Sequence, residues 1–403
     1  MNIFVPFGEI FEIAPRELAG RQDLPVMSIT MRDGLIDQNK KFKKRIASND
    51  ISPYKVVRKG NLVVGFPINE GVLGFQHSYD RAAVSPAYDI WQVTGIHPVD
   101  IKYFERILRA PMARAIYAAK MRGTTSRRRT IPKDIFRQIT FHLPPLSEQK
   151  HIAVILDAAD ALRQKDKALI AKYDELLKST LYSALGPSIN IDIRKVNVGS
   201  DDYLPPGYKW ERLIDVTSEI ADIDHNMPKS VENGMLFLSA KDLHDNGELD
   251  FSNAKMISTN DFNRLSRKIK PQMGDIIYSR IGAKLGKARL VKSEAKFLVS
   301  YSCCTIRPID ELISKIYLRY YLDSEQTLRQ ASQGTKSIGV PDLGMSEIRE
   351  FLIPIPPMST MKIIEEEFQI IEKQKAIAQE SLNKSEALFN SLLQKAFKGE
   401  LTN

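Results

Sequence analysis

The sequence predicts a mixed α/β protein: two globular heads separated by two long helices that form an antiparallel coiled coil, the whole a pseudo-twofold internal repeat. Three observations predict it. Leu143-Pro144-Pro145-Leu146 opens a helical stretch that ends near Ala184, and Ile355-Pro356-Pro357-Met358 opens another that ends near Ala396, at an offset of 212. The register holds along the stretch, since Leu176, Ser179, Leu181 and Ala184 precede Leu388, Ser391, Leu393 and Ala396 by that same offset. Self-similarity at a fixed offset outranks local cues when a fold is inferred. Finally, each stretch sustains apolar residues at heptad spacing for longer than an ordinary domain helix needs.

In chain order this gives a first head over 1–143, a central spacer helix over 144–185, a linker over 186–202, a second head over 203–355 and a C-terminal spacer helix over 356–403. Short apolar runs in the heads, Leu62-Val63-Val64-Gly65-Phe66, Ile276-Ile277-Tyr278 and Phe297-Leu298-Val299, are bounded by turn residues and read as strands. Ile101 to Ala119 and Ile313 to Ala331 have helical spacing. Arg32-Asp33-Gly34 and Asp245-Asn246-Gly247 are turn signals at equivalent places in the two halves. Upstream the repeat weakens: Gly123-Thr124-Thr125 answers Gly334-Thr335-Lys336 at an offset of 211, and Lys59 to Val63 answers Met273 to Ile277 at 214. Helices that stay alike while their heads diverge suggest a dimer fused into one chain, with heads that share a fold but not a ligand.

The helix starts are marked by Pro144-Pro145, which cannot lie inside a helix, followed by Ser147-Glu148. Ile155, Leu162, Leu169 and Leu176 recur every seven residues, with Ile152, Ala159 and Tyr173 completing a seam that Asp166 interrupts. In the second copy Ile364, Ile371 and Ala378 recur at seven, joined by Phe368, Leu382, Phe389 and Leu392, and Lys375 interrupts. At about 1.5 Å per residue each helix spans roughly 50–57 Å. A polar residue within a seam costs stability but fixes register. Parallel pairing needs a connection running back along the rod, which 186–206 could not easily supply, so antiparallel pairing is expected. The alternative is that each helix packs only on its own head.

A chain of 403 residues exceeds what one core usually serves, and its 43% hydrophobic and 27% charged content is that of a soluble protein. No apolar run reaches the roughly 18 residues of a membrane span, and the start lacks a basic head and apolar core, so a cytoplasmic protein without membrane contact is expected. Cys303 and Cys304 are adjacent, a spacing that rarely closes a relaxed disulfide, and they read as buried strand residues.

The net charge of +9 is concentrated in the first head, where 23 basic residues face 13 acidic ones; residues 186–355 hold 23 of each. The excess clusters as Lys40, Lys41, Lys43, Lys44 and Arg45, and as Arg122, Arg127, Arg128 and Arg129. The second head is neutral but carries a basic band over 264–296, with only Asp275 and Glu294 against ten basic residues. A single such cluster is compatible with an ordinary solvated face. Basic clusters in both repeated heads, interleaved with turn and strand residues, favour nucleic acid over a membrane surface.

A head, a Gly-Thr segment and an apolar-Pro-Pro element leading into a long helix, all given twice, resembles the DNA-specificity subunit of type I restriction-modification systems. Arg122-Gly123-Thr124-Thr125 and Leu143-Pro144-Pro145-Leu146-Ser147-Glu148-Gln149 carry the resemblance in the first half. Gln333-Gly334-Thr335-Lys336, Ile353-Pro354-Ile355-Pro356-Pro357 and the closing Ala396-Phe397-Lys398-Gly399-Glu400-Leu401 carry it in the second. The chain departs from the family where Ser359-Thr360-Met361 replaces the usual Glu-Gln, and where three arginines follow Gly-Thr-Thr-Ser. The resemblance implies a non-enzymatic subunit whose two target-recognition domains each read half of a split, asymmetric sequence in double-stranded DNA. It implies two methyltransferase subunits docked on the chain, joined by restriction subunits that cut DNA. S-adenosylmethionine, ATP and Mg would belong to those partners, with no cofactor in this chain.

Divergent heads suit unlike half-sites, with basic groups fixing register on phosphates and polar loop groups reading base edges. The DNA-contact candidates are the Lys40 to Arg45 run; Arg122, Thr124, Thr125 and Arg127 to Arg129; Arg280, Lys284, Lys287 and Arg289; and Ser332, Gln333, Thr335, Lys336 and Ser337. An amino-methyltransferase needs a Gly-rich cofactor loop and an Asn-Pro-Pro-aromatic element, and His142-Leu143-Pro144-Pro145 lacks the amide. Pro341-Asp342 with Glu347-Ile348-Arg349 only faintly echoes a nuclease site, and the six histidines give no spaced zinc pair. A helical scaffold without DNA readout is the remaining alternative, and it has no need of the basic clusters.

Overall fold

The computed structural model describes residues 3–31, 33–41, 50–122, 130–186, 191–225, 227–335 and 339–401. It divides into two compact units, 1–168 with 379–403, and 169–378. The division cuts both long helices, so each unit is a head joined to half of each helix. The sequence treats the helices as modules apart from the heads; the structure differs because each head's apolar core runs without a break into the helices.

In the first unit an antiparallel sheet orders its strands Phe11–Ile13, Asp89–Val93, Leu62–Val64, Leu73–Phe75. Phe7, Phe11, Trp91, Phe136 and Phe141 lie in one buried cluster with Ile152, Leu156, Phe389, Leu393 and Phe397 of the long helices. In the second unit the strands Thr217–Ala221, Cys303–Pro308, Ile276–Ser279 and Ala288–Leu290 follow one another in an antiparallel sheet. Its core takes in Ile276, Tyr278, Tyr317 and Tyr321 together with Leu177, Leu181, Leu185, Ile364, Phe368 and Ile371. Both sheets run first strand, last strand, then the central hairpin, so the heads share a topology despite their divergent sequences. Cys303 and Cys304 are buried on a strand, and burial pushes the Cys303 thiol up to about 12.

Each long helical run foreseen in the heads is two helices. Ile101–Leu108 and Pro111–Lys120 break where Pro111, with no N–H to give, opens the second. Lys315–Leu322 and Glu325–Gly334 break at Asp323, and the Ser324 side chain caps the second by accepting from the Thr327 amide. Gly34 and Gly247 take positive φ at the two expected turns, where a side chain would be strained.

The long helices run Leu146–Leu185 and Met358–Lys398. Their buried positions repeat at the sequence offset: Ile152 with Ile364, Leu156 with Phe368, Ala159 with Ile371, Leu177 with Phe389, Leu181 with Leu393 and Leu185 with Phe397 are each 212 apart, and all are buried. In the first unit the Arg163 guanidinium lies 4.4 Å from the Phe389 ring centroid, and Asp166 accepts from Ser385 (2.7 Å) and Ser381 (3.1 Å). There the segments run in opposite directions. In the second unit Lys375 bonds Asp174.

The seam expected on the first helix is displaced by one residue. Leu162, Leu169 and Leu176 are 41–47% exposed and Ile155 is half-buried, while Ile152, Leu156, Ala159, Asp166 and Leu177 are buried. Arg163 and Asp166 hold places in the buried stripe because each finds a partner there, so the more apolar leucine stripe faces outward. On the second helix Ile364, Phe368, Ile371, Leu382 and Phe389 are buried, and Ile363, Ile370 and Ile377 form an outward stripe.

Candidate nucleic-acid interface

In the first head, Lys40 is exposed on the short helix Gln38–Lys41, and Lys41 closes that helix. Arg122 is exposed and exchanges backbone hydrogen bonds with Thr130 (3.0 and 3.2 Å), making a stem that brackets 123–129. Lys43, Lys44, Arg45, Thr124, Thr125 and Arg127 to Arg129 lie outside the described residues.

In the second head two candidates must be withdrawn. Arg289 is buried, donating to the His244 and Ala288 carbonyl oxygens (2.7 and 2.6 Å) and pairing with Asp323 at 3.1 Å. Arg280 is also buried, held by Asp342 (2.9 Å), the Leu343 carbonyl (2.7 Å) and Asp222 (3.2 Å). Both guanidiniums are turned onto carboxylates and carbonyls of the protein, and a buried charge paired in this way braces the fold rather than meeting phosphate. Lys284 and Lys287 remain partly exposed beside Asp245, at 3.0 and 3.5 Å. The Lys284 ammonium holds the Asp245 carboxyl below its usual range.

Ser332, Gln333 and Thr335 lie at the end of helix Glu325–Gly334; Ser332 donates to the Leu328 carbonyl and Thr335 to the Ser332 carbonyl. Gln333 is exposed and lines a shallow hollow with Asp192 and Arg329. Lys336 and Ser337 lie outside the described residues. The structure gathers 280–282 and 341–343 side by side: Gly282 donates to the Pro341 carbonyl (2.9 Å) and Leu343 to that of Arg280 (3.0 Å). One candidate loop therefore meets a segment distant in sequence that was not among the candidates. Lys268 and Asp222 join the same cluster at 3.0 Å, a pairing that no sequence spacing signals. Among the described residues no group of three or more His, Cys, Asp or Glu side chains is placed to hold a metal ion, and no helix is long and apolar enough to cross a membrane.

Residues 219–387, most of the second head and the first part of its helix, match the model of the type I restriction modification DNA specificity domain. Over that stretch, which is under half of the chain, the sequence is similar to this domain. The Type I restriction enzyme EcoBI specificity subunit of Escherichia coli is 22% identical over 277 residues, 64% of this chain and 58% of that protein. The chain thus spans less than two thirds of that curated relative. A chain solved in work on complex assembly and conformational transition of the type I R-M system superposes over 99% of this chain and 98% of its own length, with a TM-score of 0.60 and 18% identity. The type I restriction-modification S subunit of M. genitalium gives 0.52 at 13% identity, covering 98% and 96% of the two chains. At these identities the likeness is one of fold.

Proposed function

We propose that this chain is a specificity subunit of a type I restriction-modification system, the non-catalytic reader of a split, asymmetric DNA sequence. Each head reads one half-site, and the paired helices form an antiparallel, pseudo-twofold coiled-coil spacer that sets the gap. The observation that carries this reading is the recurrence of buried helix positions at one constant offset beneath two heads of one topology and different loops. A duplicated frame with unlike loops is what two unlike half-sites require.

The outward stripes support the recruitment of partners. Leu169, Leu176, Ile363, Ile370 and Ile377 are exposed in the second unit, and Val154, Leu162 and Leu388 in the first. Heptad-spaced apolar residues on a helix surface are a seat for partner helices. One patch per unit suits two methyltransferase subunits, to which restriction subunits attach. S-adenosylmethionine, ATP and Mg are held by those partners, and the assembly works in the cytoplasm.

Sequencing of methylated adenines in a host carrying this chain with its methyltransferase tests the reading. One interrupted motif with two dissimilar halves is expected. A palindromic or uninterrupted motif would refute two unlike readers. Removing one matched heptad from each helix is expected to alter the gap between the halves, and an unchanged gap would refute the spacer.

A further inference from the structure

Four loops of the second head meet at the buried Arg280. Its guanidinium reaches Asp342 and the Leu343 carbonyl on one side, Asp222 and His225 on the other, and the Arg280 and Ile281 amides donate to the Ser302 carbonyl (3.0 and 3.3 Å). Arg280 Nη2 lies 3.2 Å from His225 Nε2, and the His225 ring stacks on Tyr301 with centroids 4.8 Å apart and planes 23° from parallel. Yet the His225 side chain is 63% exposed. A ring fixed from two directions and still open to solvent has already given up the freedom that a ligand would otherwise have to remove.

The proton inventory of that ring follows from its neighbours. A guanidinium has donors and no acceptor, so where it donates to Nε2 the ring proton of His225 sits on Nδ1. Asp222 Oδ2 lies 3.3 Å from the same Nε2, but it also accepts from Arg280, and Oδ1 accepts from Lys268 at 3.0 Å. Burial pushes the Asp222 carboxyl up, and Lys268, Arg280 and His225 together outweigh it, so the anion persists. His225 therefore carries an N–H donor on an exposed, immobilised plane. Lys229, Arg267, Lys268 and Lys270 are exposed on the same and the adjoining segments and supply positive charge.

We infer that His225 is a specificity-determining residue that donates to an acceptor on a base edge of the half-site read by the second head, and that Arg280 and Tyr301 are positioning residues. The inference rests on the DNA-reading function proposed above. In the major groove the acceptors available to a single ring N–H are purine N7, guanine O6 and thymine O4.

The test measures binding of the assembled methyltransferase complex to its site and to duplexes with each specified base pair replaced in turn. The unaltered complex is expected to lose roughly 10- to 100-fold at each specified position. With His225→Ala, the penalty should vanish at one position of one half-site and persist at all others. Tyr301→Ala should weaken discrimination at that same position, and Arg280→Lys should do so too where the chain still assembles. Retention of every penalty by His225→Ala would overturn the assignment, as would an equal loss of affinity for every duplex, which would make the ring a loop support only. An unaltered complex with no position-specific penalties at all would instead refute the DNA-reading function itself.

Discussion

The two heads sit on their halves of the helical frame by different chemistry at equivalent places. In the first unit Arg106 bonds Asp157 (2.9 Å) and Asp160 (3.0 Å) of the long helix, and Arg163 also pairs with Asp160. In the second, Tyr320 lies against Phe368 with ring centroids 4.1 Å apart and donates its hydroxyl to Glu372 at 2.7 Å. Asp160 and Glu372 are related by the offset of the repeat, as are Leu156 and Phe368. The acid was kept through the divergence while its donor changed from a guanidinium to a phenol. Placement of the head is thus retained by position, and the side chains that achieve it are free to drift.

Another pair makes the same point where the family pattern fails. Gln149 is buried and accepts from the Asp100 amide (2.7 Å) while donating to the Pro98 and Pro144 carbonyls. Met361 takes the equivalent place in the second half, and its sulfur faces the Ser314 amide. Asp100 and Ser314 each cap the following helix, accepting from the Tyr103 amide and from the Ile316 and Tyr317 amides. A thioether is a weak acceptor and no donor but fills the same apolar space, so the departure gives up the two donated hydrogen bonds and keeps a weak acceptor and the packing.

The comparison of junctions can be broken most forcefully at Phe368. Phe368→Ala empties a fully buried site and removes the surface under Tyr320, with an expected cost of about 3–5 kcal/mol in urea unfolding. Arg106→Ala, which leaves two carboxylates without their shared donor, is expected to cost about 1.5–3 kcal/mol. A larger loss from Arg106→Ala than from Phe368→Ala would reverse the assignment of charge to one junction and packing to the other.

Titration sharpens the same contrast, because the junctions should fail at opposite ends of the pH scale. Burial pushes the Asp160 carboxyl up, but Arg163 and Arg106 outweigh it and leave it below its ordinary value. Its contribution is therefore present above the unfolded value of about 3.9 and is lost as pH falls through the lower folded value. Tyr320 is pushed up, chiefly by burial and further by Glu372. Its contribution is complete below the unfolded value of about 10 and declines as pH rises above it. Thermal melts of the chain should show an acid arm that Arg106→Ala reduces and an alkaline arm that Tyr320→Phe reduces; interchange of the two effects would end the comparison.

A third, smaller effect is expected in the frame itself. Asp166→Ala deprives Ser381 and Ser385 of their acceptor and should cost about 1 kcal/mol, whereas Ala378, its counterpart on the second helix, is already alanine and buried. Equal stability of Asp166→Ala and the parent would mean that the carboxylate's desolvation cancels its two hydrogen bonds.

What the sequence made legible follows the range of the forces involved. The duplication, the two long helices and their limits near Leu185 and Lys398 are written in residues adjacent along the chain, as are the turns at Gly34 and Gly247. The choice of inward stripe was not legible. Leu162 and Leu176 are more apolar than Arg163 and Asp166, and periodicity ranks stripes by apolarity alone, while the partners that admit those polar residues, Phe389, Ser381 and Ser385, belong to the other helix, far along the chain. Arg280 and Arg289 were misread for the same reason. Charge is visible in sequence, but the buried carboxylates and carbonyls that consume it are contributed by other loops.

The outward stripes give the last and smallest effect on the fold, and the most direct test of the duplicated frame. Leu176 and Leu388 are equivalent in the repeat, both are 47% exposed, and they fall in different units. Replacing either with Glu touches no core, so the free chain should change by no more than about 0.5 kcal/mol. If each patch seats one methyltransferase subunit, native mass spectrometry should find one copy lost from Leu176→Glu, one from Leu388→Glu, and both from the double variant. Retention of two copies by either single variant would show that its patch is solvent-exposed apolar surface and no seat. Loss of both copies from one single variant would mean that a single patch governs docking, and the equivalence of the two halves would then extend to their buried positions but not to their outer faces.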